Sequence, residues 1–297
     1  MRACVLAGGT AVVTGAASGI GEALAHALAR RGSHLVLVDR DAGRLSDVAA
    51  AIRGGSSTLR VETHVVDLAD SDATTHTAYA VLREHPQIRL LVNNAGVLLG
   101  GRFDQVTLEE FNWVMDINFR AMVYLTHILL PALKAEPGSH LVNVSSLFGL
   151  IAPAGQAAYA ASKFAVRGFT EALRHEFADN GIGVTSVHPG GIRTRIAESA
   201  RVGSGVGLSH EEEDYARAQC AALLTIDPAH AADIIVNGIE HRRGRVLIGR
   251  PAKALDLLAR LLPASHGKIL AAATRTLTKS ANAARRPMPV TGTDQSR

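Results

Sequence analysis

Cysteine is scarce in this chain. Cys4 and Cys220 are its only two thiols among 297 residues. Two are too few for a disulfide framework or a metal site, so a reducing, cytoplasmic setting is expected. No apolar run reaches the ~18 residues that a membrane span requires, and no fixed-period repeat is visible. The opening MRACVLAGGTAVVTG has an apolar stretch but no convincing cleavage site, and it is read as mature protein. What these absences leave is a globular chain, 47% hydrophobic and 20% charged. It is long enough for one α/β domain or two smaller ones.

Acidic residues are missing from one end. Residues 241–297 hold twelve Lys and Arg against two acidic side chains, which leaves about −6 on the remainder of a chain of net charge +4. The basic character therefore belongs to the C-terminus. A solvated tail is the plain reading, and contact with an anionic membrane or nucleic acid is the alternative; no nucleic-acid partner is adopted.

Turning to what is present, TAVVT (10–14) reads as a short buried strand. GAASGIG leads from it into the helical EALAHALARRG, and HLVLVD (34–39) is the next strand. Strand, glycine turn, helix and strand make a βαβ unit. Gly15, Gly19 and Gly21 allow a tight turn, a close backbone approach to a pyrophosphate, and a helix N-terminus aimed at negative charge. Asp39 ends the second strand, where a carboxylate can accept hydrogen bonds from ribose hydroxyls. That favours NAD; the adjacent Arg40 would instead pair with the 2′-phosphate of NADP.

Further along, residues 41–53 and 71–84 read as helices on either side of the strand LRVETHVVDL. Asp67, at the end of that strand, is a candidate for the adenine amino group or an ordinary turn residue. IRLLVNNAG is the fourth strand and closes on Asn93, Asn94, Ala95 and Gly96. One long helix is expected over 108–133. It contains Asn118, which interrupts an apolar face and either pins the helix or holds a water in a polar relay. HLVNVSS is a strand running out at Ser146, a helix over 157–180 follows, and GVTSVHPGG and GRVLIG supply two more strands. Residues 192–226 read as a mobile segment over the site. Its acidic run 211–214 is taken as a solvated helix start, and no metal is expected.

Within the helix 157–180, Tyr159 and Lys163 stand one turn apart on one face. A neighbouring ammonium favours phenolate, so the spacing predicts a tyrosine that exchanges its proton near neutral pH. Ser146 lies thirteen residues earlier and could polarise a carbonyl in the same space. The preceding Ser145 fits that role less well.

TGAASGIG, Asp67, NNAG, Asn118, Ser146, the Tyr159–Lys163 pair and PGGIRT (189–194) occur in one order. Together they resemble the short-chain dehydrogenase/reductase family over residues 9 to about 250. The resemblance implies a single-domain, Rossmann-like, doubly wound parallel sheet of seven strands with helices on both faces. It implies a tetrad of Asn118, Ser146, Tyr159 and Lys163. Tyr159 would move the proton, Ser146 would bind the same oxygen, Lys163 would stabilise the phenolate and hold the nicotinamide ribose, and Asn118 would position a water. Cofactor contacts would come from Gly15, Ser18, Gly19, Ile20, Gly21, Asp39, Arg40, Asp67, Leu68, Asn94, Ala95, Gly96, Tyr159, Lys163, Pro189, Gly190, Ile192 and Thr194. Assembly as a homodimer or homotetramer through the helices 108–133 and 157–180 is also implied.

The wall segments 97–103 and 147–156 are largely apolar apart from Arg102 and Gln156. They favour a hydrophobic secondary alcohol or ketone over a phosphorylated sugar, with an anionic headgroup on Arg102 as the exception. A catalytically silent dinucleotide sensor or scaffold of the same fold is the alternative, although such a module would need only the glycines and Asp39. Residues 251–297 lie beyond the family pattern as a basic extension, helical to about 279 and disordered after it. Its first helix, with Leu255, Leu258, Leu261 and Leu262 apolar, is expected to pack on the catalytic domain or a neighbouring subunit, with a membrane surface as the alternative.

Overall fold

A computed structural model describes residues 4–269 and 271. β1 (Thr10–Thr14), α1 (Gly19–Arg30) and β2 (His34–Asp39) form the opening βαβ unit, and α2 (Ala42–Gly55), β3 (Val61–Val65) and α3 (Ser71–Glu84) extend it. β4 (Leu90–Asn93) and the short β5 (Leu99–Gly100) come next, then α4 (Leu108–Met115), α5 (Ala121–Ala135), β6 (His140–Val144) and α6 (Ala157–Glu176). After β7 (Gly183–Pro189) come β8 (Arg201–Val202) and α7 (His210–Ala222), and α8 (Pro228–Glu240), β9 (Arg245–Ile248) and α9 (Arg250–Leu261) end the described elements.

Seven strands make one parallel sheet in the order β3-β2-β1-β4-β6-β7-β9. Its central strands are Val/Leu runs because both faces are covered by helices. Alternation sends successive residues to opposite sides. Val13, Leu35, Leu37 and Val142 join a core with Leu24 and Leu28 of α1 and Ile235 of α8. Val12, Val36, Leu91 and Leu141 join the other with Val81 of α3, Leu129 and Leu133 of α5 and Leu173 of α6. The chain winds from β1 outward to β3, then restarts beside β1 with β4 and winds the other way. Connections therefore diverge above the carboxyl ends of β1 and β4, which opens a crevice there.

Four details differ from the sequence expectations. The third strand stops at Val65, and Asp67 lies beyond it. The long helix 108–133 is two helices joined by a π-helical segment, Asp116–Arg120, whose wider turn is closed by the Ala121 N–H donating to the Asp116 carbonyl. α6 ends at Glu176, short of Gly181. The buried residues of α9 are Ala252 and Asp256 rather than its leucines. Asp256 accepts from Arg245 of β9 and Arg260, while Ala252 is small enough to lie against Gly190. The second basic helix (266–279) falls mostly outside the described residues, and the disordered tail (281–297) wholly outside.

The segment 192–226 contains β8 and α7. β8 pairs with β5, the Arg201 guanidinium stacks 3.9 Å from the Trp113 ring centroid, and the Ser204 N–H donates to Glu110. The acidic run begins α7 behind a reciprocal Ser209–Glu212 cap, as expected. Among the described residues no helix is long and apolar enough to cross a membrane.

Candidate active site

The glycine turn between β1 and α1 is built for close approach. Gly15 and Gly19 adopt φ of +65° and +58°, a region that disfavours side chains. A Cβ at Gly15 would lie 2.9 Å from Ala95 Cα, one at Gly19 2.8 Å from Thr194 Cγ2, and one at Gly21 1.9 Å from the Gly15 carbonyl oxygen. Ser18 stands at the N-cap of α1 without turning its hydroxyl back onto the helix, so the first-turn N–H groups face the crevice.

The turn is held in register from β4. The Asn94 amide donates to the Thr14 carbonyl at 2.9 Å and the Gly15 carbonyl at 3.3 Å. The backbone N–H groups of Asn94 and Ala95 donate to the Thr14 hydroxyl. Asp39 Oδ2 accepts from the Ala17 N–H at 3.0 Å, which places the carboxylate at the rim of the same crevice. Asp67 accepts from the Ala69 N–H, a local turn of its own, and also lines the crevice.

Behind Gly96 the π-helical segment carries Asn118 inward. Its carboxamide donates to the Val97 carbonyl and the Ser162 hydroxyl, both at 3.0 Å, and accepts from the Val97 N–H at 2.7 Å. Both amide hydrogens are therefore committed to protein. The side chain locks the β4 loop against α6. Gly96 fills the remaining gap, since a Cβ there would sit 3.1 Å from Lys163 Nζ and 3.2 Å from Asn118 Oδ1. A buried amide ladder backs this region: Asn93 donates to Thr126 and Asn143, and Asn143 to Thr170. Asn143 was not singled out from sequence; an asparagine inside the apolar run HLVNV was its signal.

Tyr159, Lys163 and Ser146 converge where β6 ends. The Ser146 side chain acts on the Tyr159 hydroxyl, and both residues line the crevice. Ser145 lines it too, but Ser145 Oγ donates to the Lys163 carbonyl at 2.8 Å, so its hydroxyl is committed to the backbone of α6. Lys163, 3% exposed, donates to the Val144 carbonyl at 3.1 Å and lies 5.7 Å from the Tyr159 ring centroid. Burial pushes Lys163 down to about 8. Burial also pushes the Tyr159 phenol above its ordinary value, against the Ser146 side chain, which lowers it, while the nearby Cys220 raises it further. This corrects the expectation of a tyrosine acidified by its lysine. Desolvation acts on both partners and disfavours both charged forms, and the ammonium is turned to a carbonyl.

His188, fully buried at the end of β7, reaches the Ser146 carbonyl through Nδ1 at 3.1 Å and the Ser186 hydroxyl through Nε2 at 3.0 Å. Burial holds it down at about 4, so the ring is neutral with Nδ1–H donating, and it positions the backbone of Ser146. The sequence reading did not include it.

Of the expected residues, Gly15, Ser18, Gly19, Ile20, Asp39, Arg40, Asp67, Leu68, Asn94, Ala95, Gly96, Ser146, Tyr159, Lys163, Pro189, Ile192 and Thr194 line one continuous crevice. Gly21 and Asn118 lie behind its wall, and Gly190 packs under α9, leaving Gly191 as the lining glycine. Val66, Val97, Ile117, Ile196, Ser199 and Leu224 also line it. Val97 belongs to the expected wall segment 97–103; Val66, Ile196, Ser199 and Leu224 were missed because each comes from a loop or from the segment 192–226, where no periodicity says which side faces in, and Ile117 because the π-helical segment turns it out of the regular helical register. Arg102 is exposed and paired with Asp104.

Residues 9–204 match the short chain dehydrogenase family. Over 267 residues the chain is 39% identical to SadH of Mycobacterium tuberculosis, spanning 89% of this chain and 95% of that protein. It is 32% identical to the dehydrogenase/reductase SDR family member 7B of Xenopus laevis over 91% of this chain and 83% of that one. A short chain dehydrogenase/reductase from Burkholderia phymatum, solved with NAD, superposes with a TM-score of 0.78 at 27% identity, covering 87% of this chain and 95% of that one. One from Sphingobium yanoikuyae, solved with NADPH, superposes with a TM-score of 0.70 at 27% identity over 96% and 99%. With the seven-stranded parallel sheet, the glycine turn and the serine, tyrosine and lysine gathered at one crevice, these likenesses place the chain in the short chain dehydrogenase family of oxidoreductases.

Proposed function

We propose that this protein is an NAD(P)-dependent oxidoreductase acting on a hydrophobic secondary alcohol or ketone, with Tyr159 as general acid and base. The observation that carries the reading is the gathering of Ser146, Tyr159 and, one helical turn from the tyrosine, a buried Lys163 in the crevice that the glycine turn opens. The crevice also fits a dinucleotide. Its first-turn N–H groups and close-approach glycines suit a pyrophosphate, and Asp39 at the rim suits ribose hydroxyls, which favours NAD over NADP.

When bound, the nicotinamide supplies or accepts the hydride, and the protein contributes orientation and proton handling. Ser146 holds the substrate oxygen beside the Tyr159 hydroxyl. In reduction Tyr159, kept protonated by burial, donates its proton to that oxygen; in oxidation it must first lose that proton. Lys163 lies close enough for its charge to favour the phenolate in that step. Asn118 keeps the β4 loop and α6 in fixed relation. Substrate class is supported by the apolar lining of Val97, Ile117, Ile196 and Leu224 and by Phe148, edge-on to Tyr159 at 6.0 Å. The pairing of Arg102 with Asp104 disfavours an anionic headgroup. The same reading carries assembly through α5 and α6, where Tyr124 and Phe164 are exposed.

Tyr159→Phe tests the reading on a panel of apolar ketones and alcohols with both cofactors. Turnover is expected to fall by at least ~100-fold while dinucleotide binding, followed by fluorescence, stays within about twofold. Substantial residual turnover would remove Tyr159 from its role. Tight NADH binding by the unaltered chain without turnover on any substrate would favour a silent sensor.

A further inference from the structure

Helix α9 holds the domain with one face and shows water the other. Ala252 and Asp256 point inward, whereas Leu257, Leu261 and Leu262 are 57%, 69% and 41% exposed, and Ile269 a little further on is 43% exposed. At 3.6 residues per turn, positions 250, 253, 257, 260 and 261 fall within about 100° of arc. Arg250, Lys253 and Arg260 therefore share a face with Leu257 and Leu261. The one acidic residue of α9, Asp256, lies about 40° beyond the Arg260 edge of that arc, is buried, and is engaged by Arg245 and Arg260. Among the described residues, the exposed face of this helix is apolar and cationic with no negative charge.

The chain that follows has the same character. Lys268 is exposed, and residues 272–297 bring Arg275, Lys279, Arg285, Arg286 and Arg297 against a single acid, Asp294. A second copy of this chain fits such a face poorly. A two-fold interface centred on this face would bring two sets of Arg250 and Lys253 together, a like-charge contact that no carboxylate of α9 relieves, since Asp256 is engaged by Arg245 and Arg260. An anionic bilayer meets both halves of the surface: leucines enter the boundary between headgroups and acyl chains, and cations meet lipid phosphates.

We propose that the exposed face of α9 is a docking surface for an anionic lipid bilayer, with α9 lying in the plane of the headgroups. The test is co-sedimentation of the full chain with vesicles of phosphatidylcholine alone and of phosphatidylcholine mixed with phosphatidylglycerol, at low and high salt. Binding to the mixed vesicles only is expected, weakened by salt. It should fall about tenfold in the double variant Leu257→Glu, Leu261→Glu, and in Arg250→Glu, Lys253→Glu. Unchanged circular dichroism and melting temperature establish that each variant is folded; both pairs of sites are exposed, so a fold defect in one leaves the other as the test. Absence of sedimentation, equal binding to both vesicle types, or binding indifferent to both variants would overturn the proposal. So would a light-scattering mass that the leucine variant lowers in a chain that vesicles do not capture, since that result assigns the face to a second copy.

Discussion

Lys163 is an ammonium held in the interior by one carbonyl, and this has a consequence for stability that can be signed. Its folded value of about 8 lies below its ordinary 10.5. Between those two values the unfolded chain still holds the proton that the folded chain has released, so stability rises with pH across that window. Below pH 8 the buried charge is present in full and its cost is complete. The shift corresponds to about 3 kcal/mol at most, and the hydrogen bond to the Val144 carbonyl offsets about 1 kcal/mol of it. Lys163→Met keeps the length of the side chain and removes the charge. It is expected to abolish turnover yet melt several degrees above the unaltered protein at pH 7, with the gap closing as pH rises from 8 towards 10. A lower melting temperature at pH 7 would mean that the ammonium is a net stabiliser where it stands.

At the scale of elements, α7 is the outlier, because none of its thirteen residues is buried. Its hold comes from the Ser209–Glu212 cap and from Arg217 pairing with Glu213 and Asp214, interactions worth little at a surface. Elements with few buried apolar contacts open first. Limited trypsin digestion is therefore expected to cut at Arg217 well before any site in the sheet, and NADH with a bound substrate to slow that cut. Cleavage that begins instead in α5 or α6 would contradict this ordering. The same contrast explains how much was legible beforehand. β1, β2, β4, β6 and β7 could be read because Val/Leu runs bounded by glycine or polar residues have few other solutions, and Tyr159 and Lys163 because a helix fixes i and i+4. The π-helical segment at Asn118 could not, since a one-residue widening leaves no mark in composition. Nor could the inward face of α9, where the pairing of Asp256 with Arg245 outweighs the pull of four leucines. The charge states of Tyr159 and Lys163 depend on burial, which spacing does not report.

The described residues are built on one seven-stranded sheet with a core on each face, and the crevice draws on both halves of its winding. Gly15, Asp39 and Asp67 come from the strands that wind one way, and Ser146, Tyr159, Lys163 and Thr194 from those that wind the other. A ligand spanning the crevice therefore binds only when both halves are folded, and its binding energy adds to the stability of the whole. At a free concentration about 100 times its dissociation constant, a dinucleotide contributes about 2.7 kcal/mol. That is a rise of roughly 5–10 °C in melting temperature for a chain of this size. The two candidates differ in what they would meet at the rim: the Asp39 carboxylate would accept from ribose hydroxyls and repel a 2′-phosphate, which Arg40 next to it would attract. At equal concentrations NADH is expected to raise the melting temperature more than NADPH, and Asp39→Ala to narrow or reverse the difference. Equal shifts in the unaltered protein would remove Asp39 from the choice of cofactor, and no shift with either would remove the dinucleotide from the crevice.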